Sequence, residues 1–237
     1  MQKAYILEIS VESVEVAMAA ERGGADRIEL CGDLNVGGVT PAGSMMMGTR
    51  ANVQLPIFAM IRPRAGNFVY SDEEFAAMKK SIKFAKQLQV EGIVLGILTT
   101  DSRIDVARTK ELVSLASPAP VTFHRAFDEC GDLRRGIEDV IKTGATRLLT
   151  SGGKRTAPEA LDLIGELVRM AGDRLIVMPG SGLHAGNIRE AVAKTGAGEF
   201  HAGLSLVVAD TAGNIGAFGV EVGRMVEALR GERKGRR

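Results

Sequence analysis

The chain has 237 residues, 45% of them hydrophobic, which is enough to bury the core of one large α/β domain or of two small ones. Its 30 lysine and arginine residues nearly balance 29 aspartates and glutamates, for a formal net charge of +1, so no overall field attracts nucleic acid or a membrane surface. The two cysteines, Cys31 and Cys130, exclude a disulfide framework, and the apolar runs are too short for a signal peptide or a membrane span, so we expect a cytoplasmic protein.

Short apolar, β-branched segments alternate along the chain with longer segments of helical periodicity, a pattern typical of repeated βα units. The pattern predicts eight strands, at residues 4–9, 25–30, 56–61, 92–98, 120–125, 146–150, 174–178 and 199–202. The clearest helices are predicted at residues 13–22, 71–89, 104–115, 133–143, 158–171 and 187–195, with a last one near 220–230.

Eight βα units in a chain of this length indicate an α/β protein with a single (β/α)8 TIM barrel over residues 1–230. The basic residues 231–237 are then a solvated, frayed tail. An open, doubly wound sheet is the alternative fold, but no GxGxxG motif follows the first strand.

Small residues before several predicted strands support this division into units. The segments 23–26, 91–92, 144–146 and 196–198 all contain glycine, which ends a helix in the left-handed conformation at little steric cost. Ser71 followed by Glu74 predicts a capping box at the start of the third helix.

The tract Met45-Met46-Met47 suggests a Cu(I) site, because thioethers suit that ion. We place it in a helix after the second strand, where three consecutive residues cannot share one face. Filling of the hydrophobic core is therefore the favoured interpretation.

Polar residues occur at the carboxyl ends of several predicted strands, where barrel enzymes bind their ligands. Side chains alternate across a strand, and the bulky aliphatic ones should face the helices. The inward positions are then Glu8, Glu29, Cys31, Arg62, His124 and His201. Each alone can be half of an internal ion pair or a core histidine, but buried charges rarely collect on several strands without a task.

Two glycine-rich loops lie at the same end of the barrel. Residues 150–154 follow the sixth strand and residues 179–183 follow the seventh, so their backbone N–H groups can hold an anion or simply form tight turns. The candidate anion-binding residues are Arg125, Ser151, Gly152, Gly180, Ser181 and Gly182.

These residues together suggest an enzyme site for a small anionic metabolite. Arg62, with Arg125 and the 180–182 loop, would hold a phosphate or carboxylate. His124 or His201 would act as general acid or base near neutral pH, and Glu8 or Glu29 would orient a histidine or accept a second proton. As a variant, both glutamates and both histidines would hold a divalent metal ion.

Six motifs in this sequence resemble those of the CutC family, the proteins named for copper homeostasis. The resemblance runs in register from about Leu7 to His201 and implies a TIM barrel, a cytoplasmic location, a homo-oligomer and copper-ion binding. The motifs are ERGGADRIELC at 21–31, GGVTP at 37–41, MIRPRAG at 60–66 with YSD at 70–72, VTFHRAFD at 121–128, LLTSG at 148–152 and EFH at 199–201.

The sequence departs from the family pattern at two positions where soft metal ligands or hydroxyls are usual. Relatives commonly have cysteine in the first strand where this chain has Ser10, and serine after the eighth strand where it has Gly203. Cys31 matches the family cysteine, and Cys31 with His124 and His201 is the candidate copper set.

Three hypotheses follow for the function. The resemblance implies a copper-binding or copper-handling protein. The strand-end residues favour an enzyme that acts on a phosphorylated or carboxylated small molecule. A structural scaffold is the third hypothesis, favoured only if internal ion pairs fill the mouth of the barrel.

Overall fold

The computed structural model describes residues 5–204 and 208–231. Its eight strands run parallel in the order β7-β6-β5-β4-β3-β2-β1-β8, and β7 lies beside β8. The nearly closed sheet confirms the predicted TIM barrel. The strands are β1 Ile6–Val11, β2 Arg27–Leu30, β3 Ile57–Met60, β4 Gly92–Leu95, β5 Val121–Phe123, β6 Arg147–Thr150, β7 Ile176–Pro179 and β8 Glu199–Ala202.

Eight α-helices in the described residues surround the strands and follow the predicted alternation. Glycines 24, 144 and 196 end helices in the left-handed conformation, as predicted, and Ser71 with Glu74 forms the predicted capping box. The helices are α1 Val14–Gly23, α2 Gly43–Asn52, α3 Asp72–Gln87, α4 Val106–Ala116, α5 Leu133–Thr143, α6 Leu161–Ala171, α7 Ile188–Thr195 and α8 Ile215–Arg230.

Several element boundaries differ from the prediction for local reasons. β5 ends at Phe123 because the chain turns into a short 3-10 helix, Arg125–Glu129. α8 begins at residue 215 rather than 220, since the Asn214 side chain accepts the Ala217 N–H and caps the helix. The first predicted strand residue, Ala4, and the tail residues 232–237 lie outside the described residues.

The sequence pattern predicts that Gly92 ends the helix that precedes the fourth strand, but it is instead the first residue of β4. Helix α3 ends at Gln87 with Leu88 as its C-cap, and Gln89 takes the left-handed conformation. A Cβ at Gly92 would lie 2.5 Å from the Phe58 ring. The glycine therefore makes room for an aromatic side chain inside the barrel.

The hydrophobic core has two parts. The larger part lies between strands and helices and contains, among others, Leu7, Ile28 and Phe200. The smaller part, inside the barrel, consists of Cys31, Leu34, Phe58, Met60 and Val94. Of the methionine tract, Met46 is buried in the larger part and Met47 is 52% exposed, so the three residues do not form one face. In the described residues, no helix has both the length and the apolar character that a membrane crossing requires.

Candidate functional site

A chain of ion pairs crosses the interior of the barrel. Arg27 on β2 donates to Glu8 on β1 at 2.5 Å and to Glu199 on β8 at 2.6 Å. Arg147 on β6 donates to the same Glu199 at 2.7 Å. Both guanidinium groups lie over the Phe58 ring, at 4.7 and 5.2 Å from its centroid. Glu8 is thus half of an internal ion pair, one of the two roles that the sequence allows for it.

Arg27, Arg147 and Phe68 are the residues of this region that the sequence reasoning missed. Arg27 is two residues before Glu29 on β2, so the alternation that placed Glu29 inside places Arg27 there too. Phe68 lies in the loop after β3, where no periodicity indicates which way a side chain points.

Glu8 also fixes the proton arrangement of His201. Its Oε1 lies 2.8 Å from Nδ1 of His201. Burial alone would raise the pKa of Glu8, but the hydrogen bond from His201 and the charge of Arg27 lower it to about 2. Because an ionised carboxylate only accepts hydrogen bonds, Nδ1 of His201 carries a proton and Nε2 is left for other partners.

Nε2 of His201 faces the third member of this group, Glu29. The distance from Nε2 to Oε2 of Glu29 is 3.6 Å, too long for a hydrogen bond, and Oε1 of Glu29 is buried without a partner. Burial raises the pKa of Glu29. Burial would lower the pKa of His201, but the charge of Glu29 and the hydrogen bond to Glu8 raise it. Both groups are buried with a raised pKa and lie side by side, an arrangement that suits the exchange of a proton with a bound molecule.

Cys31 is a poor source of thiolate. Its side chain is fully buried, and burial followed by the charge of Glu29 raises its pKa well above the usual value. The neutral thiol is a weak ligand, because metals bind the thiolate.

The structure does not bring the predicted copper set of Cys31, His124 and His201 together as one ligand group. Among the described residues, the ligand atoms that lie within 4.8 Å of one another belong to Glu8, Glu29 and His201. These three residues belong to the predicted divalent-metal set, but the fourth predicted ligand, His124, is not part of this group.

His124 is held as a neutral hydrogen-bond donor. Its Nδ1 accepts the Ala126 N–H at 3.1 Å, which places the ring proton on Nε2. Burial and the charge of Arg62 lower the pKa of His124 to about 3. This low pKa argues against the general acid or base role near neutral pH that the sequence predicts for His124. Nε2 cannot ligate a metal while it carries the proton, and it is buried without a partner in the described part of the chain.

Arg62 carries a buried positive charge that no carboxylate in the described residues neutralises within 4.0 Å. Nη1 donates to the carbonyl oxygens of Val36 and Gly38, each at 2.9 Å, and Nη2 to that of Gly66 at 2.8 Å. The guanidinium carbon lies 4.7 Å from the centroid of Phe68. These bonds use three of the five N–H donors of an arginine, leaving one on Nη2 and the buried, unpartnered one on Nε.

The Tyr70 hydroxyl lies beside the same guanidinium. Burial raises the pKa of Tyr70 to about 12, although the charge of Arg62 acts to lower it. The hydroxyl is buried and has no hydrogen-bond partner in the described residues. Tyr70 thus brings no negative charge to Arg62.

The loop after β6 does not offer free donors for an anion. The N–H groups of Ser151 and Gly153 donate to Asp128, and that of Gly152 donates to Thr150 Oγ1. The Gly180 N–H donates to the Thr150 carbonyl at 2.9 Å. The N–H groups of Ser151, Gly152 and Gly180 thus have acceptors within the chain, which argues against the anion-binding role predicted for them. Arg125 pairs with Asp128 at 2.9 Å but still borders the cavity described next.

Ser181 and Gly182, after β7, keep their donors. Both take the left-handed conformation, with φ of 73° and 74°. The hydrogen bonds of the described residues leave both backbone N–H groups without an acceptor. This part of the predicted anion-binding loop remains available to a ligand.

A cavity of about 140 Å³ opens at the carboxyl ends of the strands. Its lining includes Glu29, Arg62, His124, Ser181, Gly182 and His201. The volume resembles that of an engineered cavity that binds benzene. The structure therefore joins the Glu29–His201 pair, an uncompensated arginine and a neutral histidine donor at a site sized for a small molecule.

Comparisons with known proteins agree with this architecture. A family model described as the CutC family matches residues 5–205. A Chromobacterium violaceum protein named family protein CutC is 46% identical over 197 residues, covering 83% of this chain and 80% of its own. A human protein named copper homeostasis protein cutC homolog is 45% identical over 197 residues, covering 83% and 72%.

Solved structures share the fold. A Streptococcus agalactiae protein, described as a candidate copper homeostasis protein CutC, is similar with a TM-score of 0.79 and 31% identity, covering 84% of this chain and 98% of that one. Tryptophan synthase of Mycobacterium tuberculosis is similar in fold alone, with a TM-score of 0.69 and 11% identity, covering 96% and 94%.

Proposed function

The chain belongs to the CutC family, and on this premise we propose that the mouth of its barrel is an enzyme site that binds a small anion and moves a proton on it. One observation carries the proposal: a buried glutamate and a buried histidine, 3.6 Å apart and both with a raised pKa, border the same cavity as unpartnered cationic and neutral donors. Such convergence is typical of catalytic sites.

Arg62 and the β7 loop support the binding half of the proposal. A buried arginine that lacks a carboxylate partner leaves a positive charge for a ligand to neutralise. Its free donors on neighbouring Nε and Nη2 suit a carboxylate or phosphate. The N–H groups of Ser181 and Gly182 add uncharged donors at the same cavity.

The glutamate–histidine pair supports the proton-transfer half. Glu8 holds the Nδ1 proton of His201, which leaves Nε2 and the Glu29 carboxylate to accept or donate a proton. Glu8 thus acts on the ligand only through His201, as an orienting group.

Anion binding is tested by calorimetric titration of the full chain with inorganic phosphate, acetate and pyruvate. We expect at least one to bind, and Arg62→Gln to weaken that binding at least tenfold, since it removes a charge-assisted hydrogen bond. Arg64→Gln is the matched control, because Arg64 pairs with Glu74 and is not part of the cavity lining. Equal affinity in Arg62→Gln, or no binding of any of the three anions, contradicts the proposal.

Proton movement is tested by repeating the titration in two buffers of different ionisation enthalpy. An anion beside Glu29 and His201 favours their protonated forms, so the wild type should take up protons on binding near neutral pH. Glu29→Gln should bind the anion with less proton uptake. Identical uptake in both proteins would remove the pair from the mechanism.

Copper handling is the second candidate, favoured by the names of the human and mouse relatives. The residues present fit a copper ion in part: Oε1 of Glu29 is buried without a partner, and a carboxylate on Nδ1 commonly orients a metal-binding histidine. Oxygen and imidazole ligands suit Cu(II), whereas Cu(I) prefers the thiolate that Cys31 does not readily supply.

Copper titration against a competing chelator tests this candidate. We expect His201→Gln to lose Cu(II) binding and Cys31→Ser to keep it. Loss of Cu(I) binding in Cys31→Ser would indicate a thiolate site instead, and binding no tighter than weak surface sites would reject copper handling. The resemblance also supports a cytoplasmic, homo-oligomeric protein, which cell fractionation and light scattering would test.

A further inference from the structure

The structure locks His124 as a preformed donor into the cavity. Its Nδ1 is occupied by the Ala126 N–H, and Phe68 lies with its ring centroid 4.9 Å from that of the imidazole. A Cβ on Gly96 would lie 2.5 Å from Nδ1, so the histidine ring packs closely against the backbone there. The remaining N–H, on Nε2, has no partner in the described chain.

Arg62 contributes a second preformed group close to the first. Both residues contact the Phe68 ring, and three carbonyl oxygens hold the guanidinium in place. Its free donors match a carboxylate. The two residues together suit a 2-oxo acid. Its carboxylate would bind Arg62, and the carbonyl oxygen on the adjacent carbon would accept the His124 N–H.

A proton acceptor borders the same cavity. The Nδ1 proton of His201 goes to Glu8 at 2.8 Å, so the lone pair of the neutral ring is on Nε2. Nε2 and the Glu29 carboxylate are not hydrogen-bonded to each other. A carbon atom of a bound ligand can therefore approach the acceptor while its oxygen atoms face the donors.

We propose that the protein enolises a small 2-oxo acid, with His124 as the neutral donor to the developing enolate oxygen and His201 as the base. This inference rests on the proposed anion-binding enzyme and names its substrate class. The C–H bond beside the carbonyl breaks and its proton passes to Nε2 of His201. The electron pair of that bond forms the C=C bond, while the carbonyl π pair moves to the oxygen, where His124 Nε2–H stabilises it.

Pyruvate is the probe, since it has as many non-hydrogen atoms as benzene and the cavity is about 140 Å³. The chelator-treated protein is incubated with pyruvate in D2O, and loss of the methyl signal is followed by proton NMR. We expect exchange faster than in buffer. His124→Gln should slow exchange about 100-fold or more, as loss of an oxyanion donor does, and change pyruvate affinity less than tenfold.

Two further variants keep the test decisive. His201→Gln should abolish exchange and retain pyruvate binding, which covers the case in which His124→Gln fails to fold. His184→Gln, which removes a histidine outside the cavity lining, should exchange pyruvate at the wild-type rate.

The outcomes separate this inference from the proposed function. Anion binding without methyl exchange overturns enolisation and leaves the proposed function standing. Exchange at the wild-type rate in folded His124→Gln overturns the donor role. If phosphate, acetate and pyruvate all fail to bind, both proposals are wrong.

Discussion

At the scale of single residues, the two histidines of the cavity have opposite proton arrangements. A backbone N–H occupies Nδ1 of His124, and a carboxylate occupies Nδ1 of His201. The first ring is therefore a donor through Nε2, and the second, in its neutral form, is an acceptor there. His124 directly follows β5 and His201 is the last residue but one of β8. Both thus lie near the carboxyl end of a strand, so neither residue type nor strand position predicts the difference.

His124 should make the stability of the protein depend on pH. Its pKa is about 3 in the folded chain against 6.5 for an unperturbed histidine. The folded state thus binds fewer protons, and stability falls as the pH drops below about 6.5, levelling off below about 3. Between about pH 7 and pH 5, the free energy of unfolding of the wild type should fall by about 2 kcal/mol more than that of His124→Gln.

Urea unfolding at several pH values measures this difference. His184→Gln is the matched control, because it removes a histidine that does not border the cavity. Parallel stability curves for the wild type and His124→Gln would show that the folded imidazole gains protons as readily as the unfolded one.

At the scale of elements, the ion pairs inside the barrel span the seam between β7 and β8. These two strands are adjacent but form no ladder with each other. Arg147 on β6 and Arg27 on β2 both reach Glu199 on β8. These ion pairs thus link β6, on one side of the gap in hydrogen bonding between β7 and β8, to β8 and β2 on the other side.

Glu199→Gln should weaken this seam. The substitution keeps the side-chain shape but leaves Arg147, which is 7% exposed, without its carboxylate. Breaking a buried pair from one side is strongly destabilising, by about 3 kcal/mol. Chemical unfolding should show this loss, and amide exchange in β7 and β8 should accelerate.

Glu138→Gln is the matched control for the seam, because it breaks the exposed pair with Arg174. Exposed pairs are screened by water, so its effect should be far smaller. Equal losses in the two variants would mean that the interior pairs do not support the seam.

The first and last helices close the outer layer through a glycine contact. A Cβ on Gly23 of α1 would lie 2.6 Å from Cβ of Val222 and 2.7 Å from the carbonyl oxygen of Gly219, both on α8. A backbone atom cannot move aside as a flexible side chain can. The distance between the two helices therefore depends on the absence of a side chain at this position.

Gly23→Ala should separate α1 from α8 and destabilise the protein by about 1 to 3 kcal/mol, the usual cost of overpacking. Thermal unfolding measures the effect. Gly131→Ala is the matched control, since a Cβ there meets no atom within 4 Å, and it should leave the midpoint nearly unchanged. A Gly23→Ala midpoint equal to that of Gly131→Ala would contradict the helix contact.

At the scale of the whole molecule, the larger part of the core is continuous around the barrel. Residues from all eight strands contribute to it, and the first strand pairs with the last. No half of the described chain has a closed sheet of its own. We therefore predict one domain that unfolds as one unit.

Calorimetry tests this prediction. A single transition is expected, with the calorimetric enthalpy close to the van't Hoff enthalpy. Two transitions, or a van't Hoff enthalpy far below the calorimetric one, would indicate that part of the barrel unfolds independently.

The sequence by itself determined the eight βα units, the capping box at Ser71 and the inward position of Glu8, Glu29, Arg62 and His201. These features depend on local propensity and on the period of the hydrophobic pattern, which are properties of neighbouring residues. The same alternation of side chains places Arg27 inside the barrel. Its ion pairs with Glu8 on β1 and Glu199 on β8 are visible only in the folded structure.

Only the tertiary structure decided which of these polar groups are already satisfied. Asp128 takes the donors of the β6 loop, carbonyl oxygens hold but do not neutralise Arg62, and Ala126 fixes the tautomer of His124. Hydrogen-bond partners and burial depend on atoms from distant segments, and these set both the pKa of a group and its availability to a ligand.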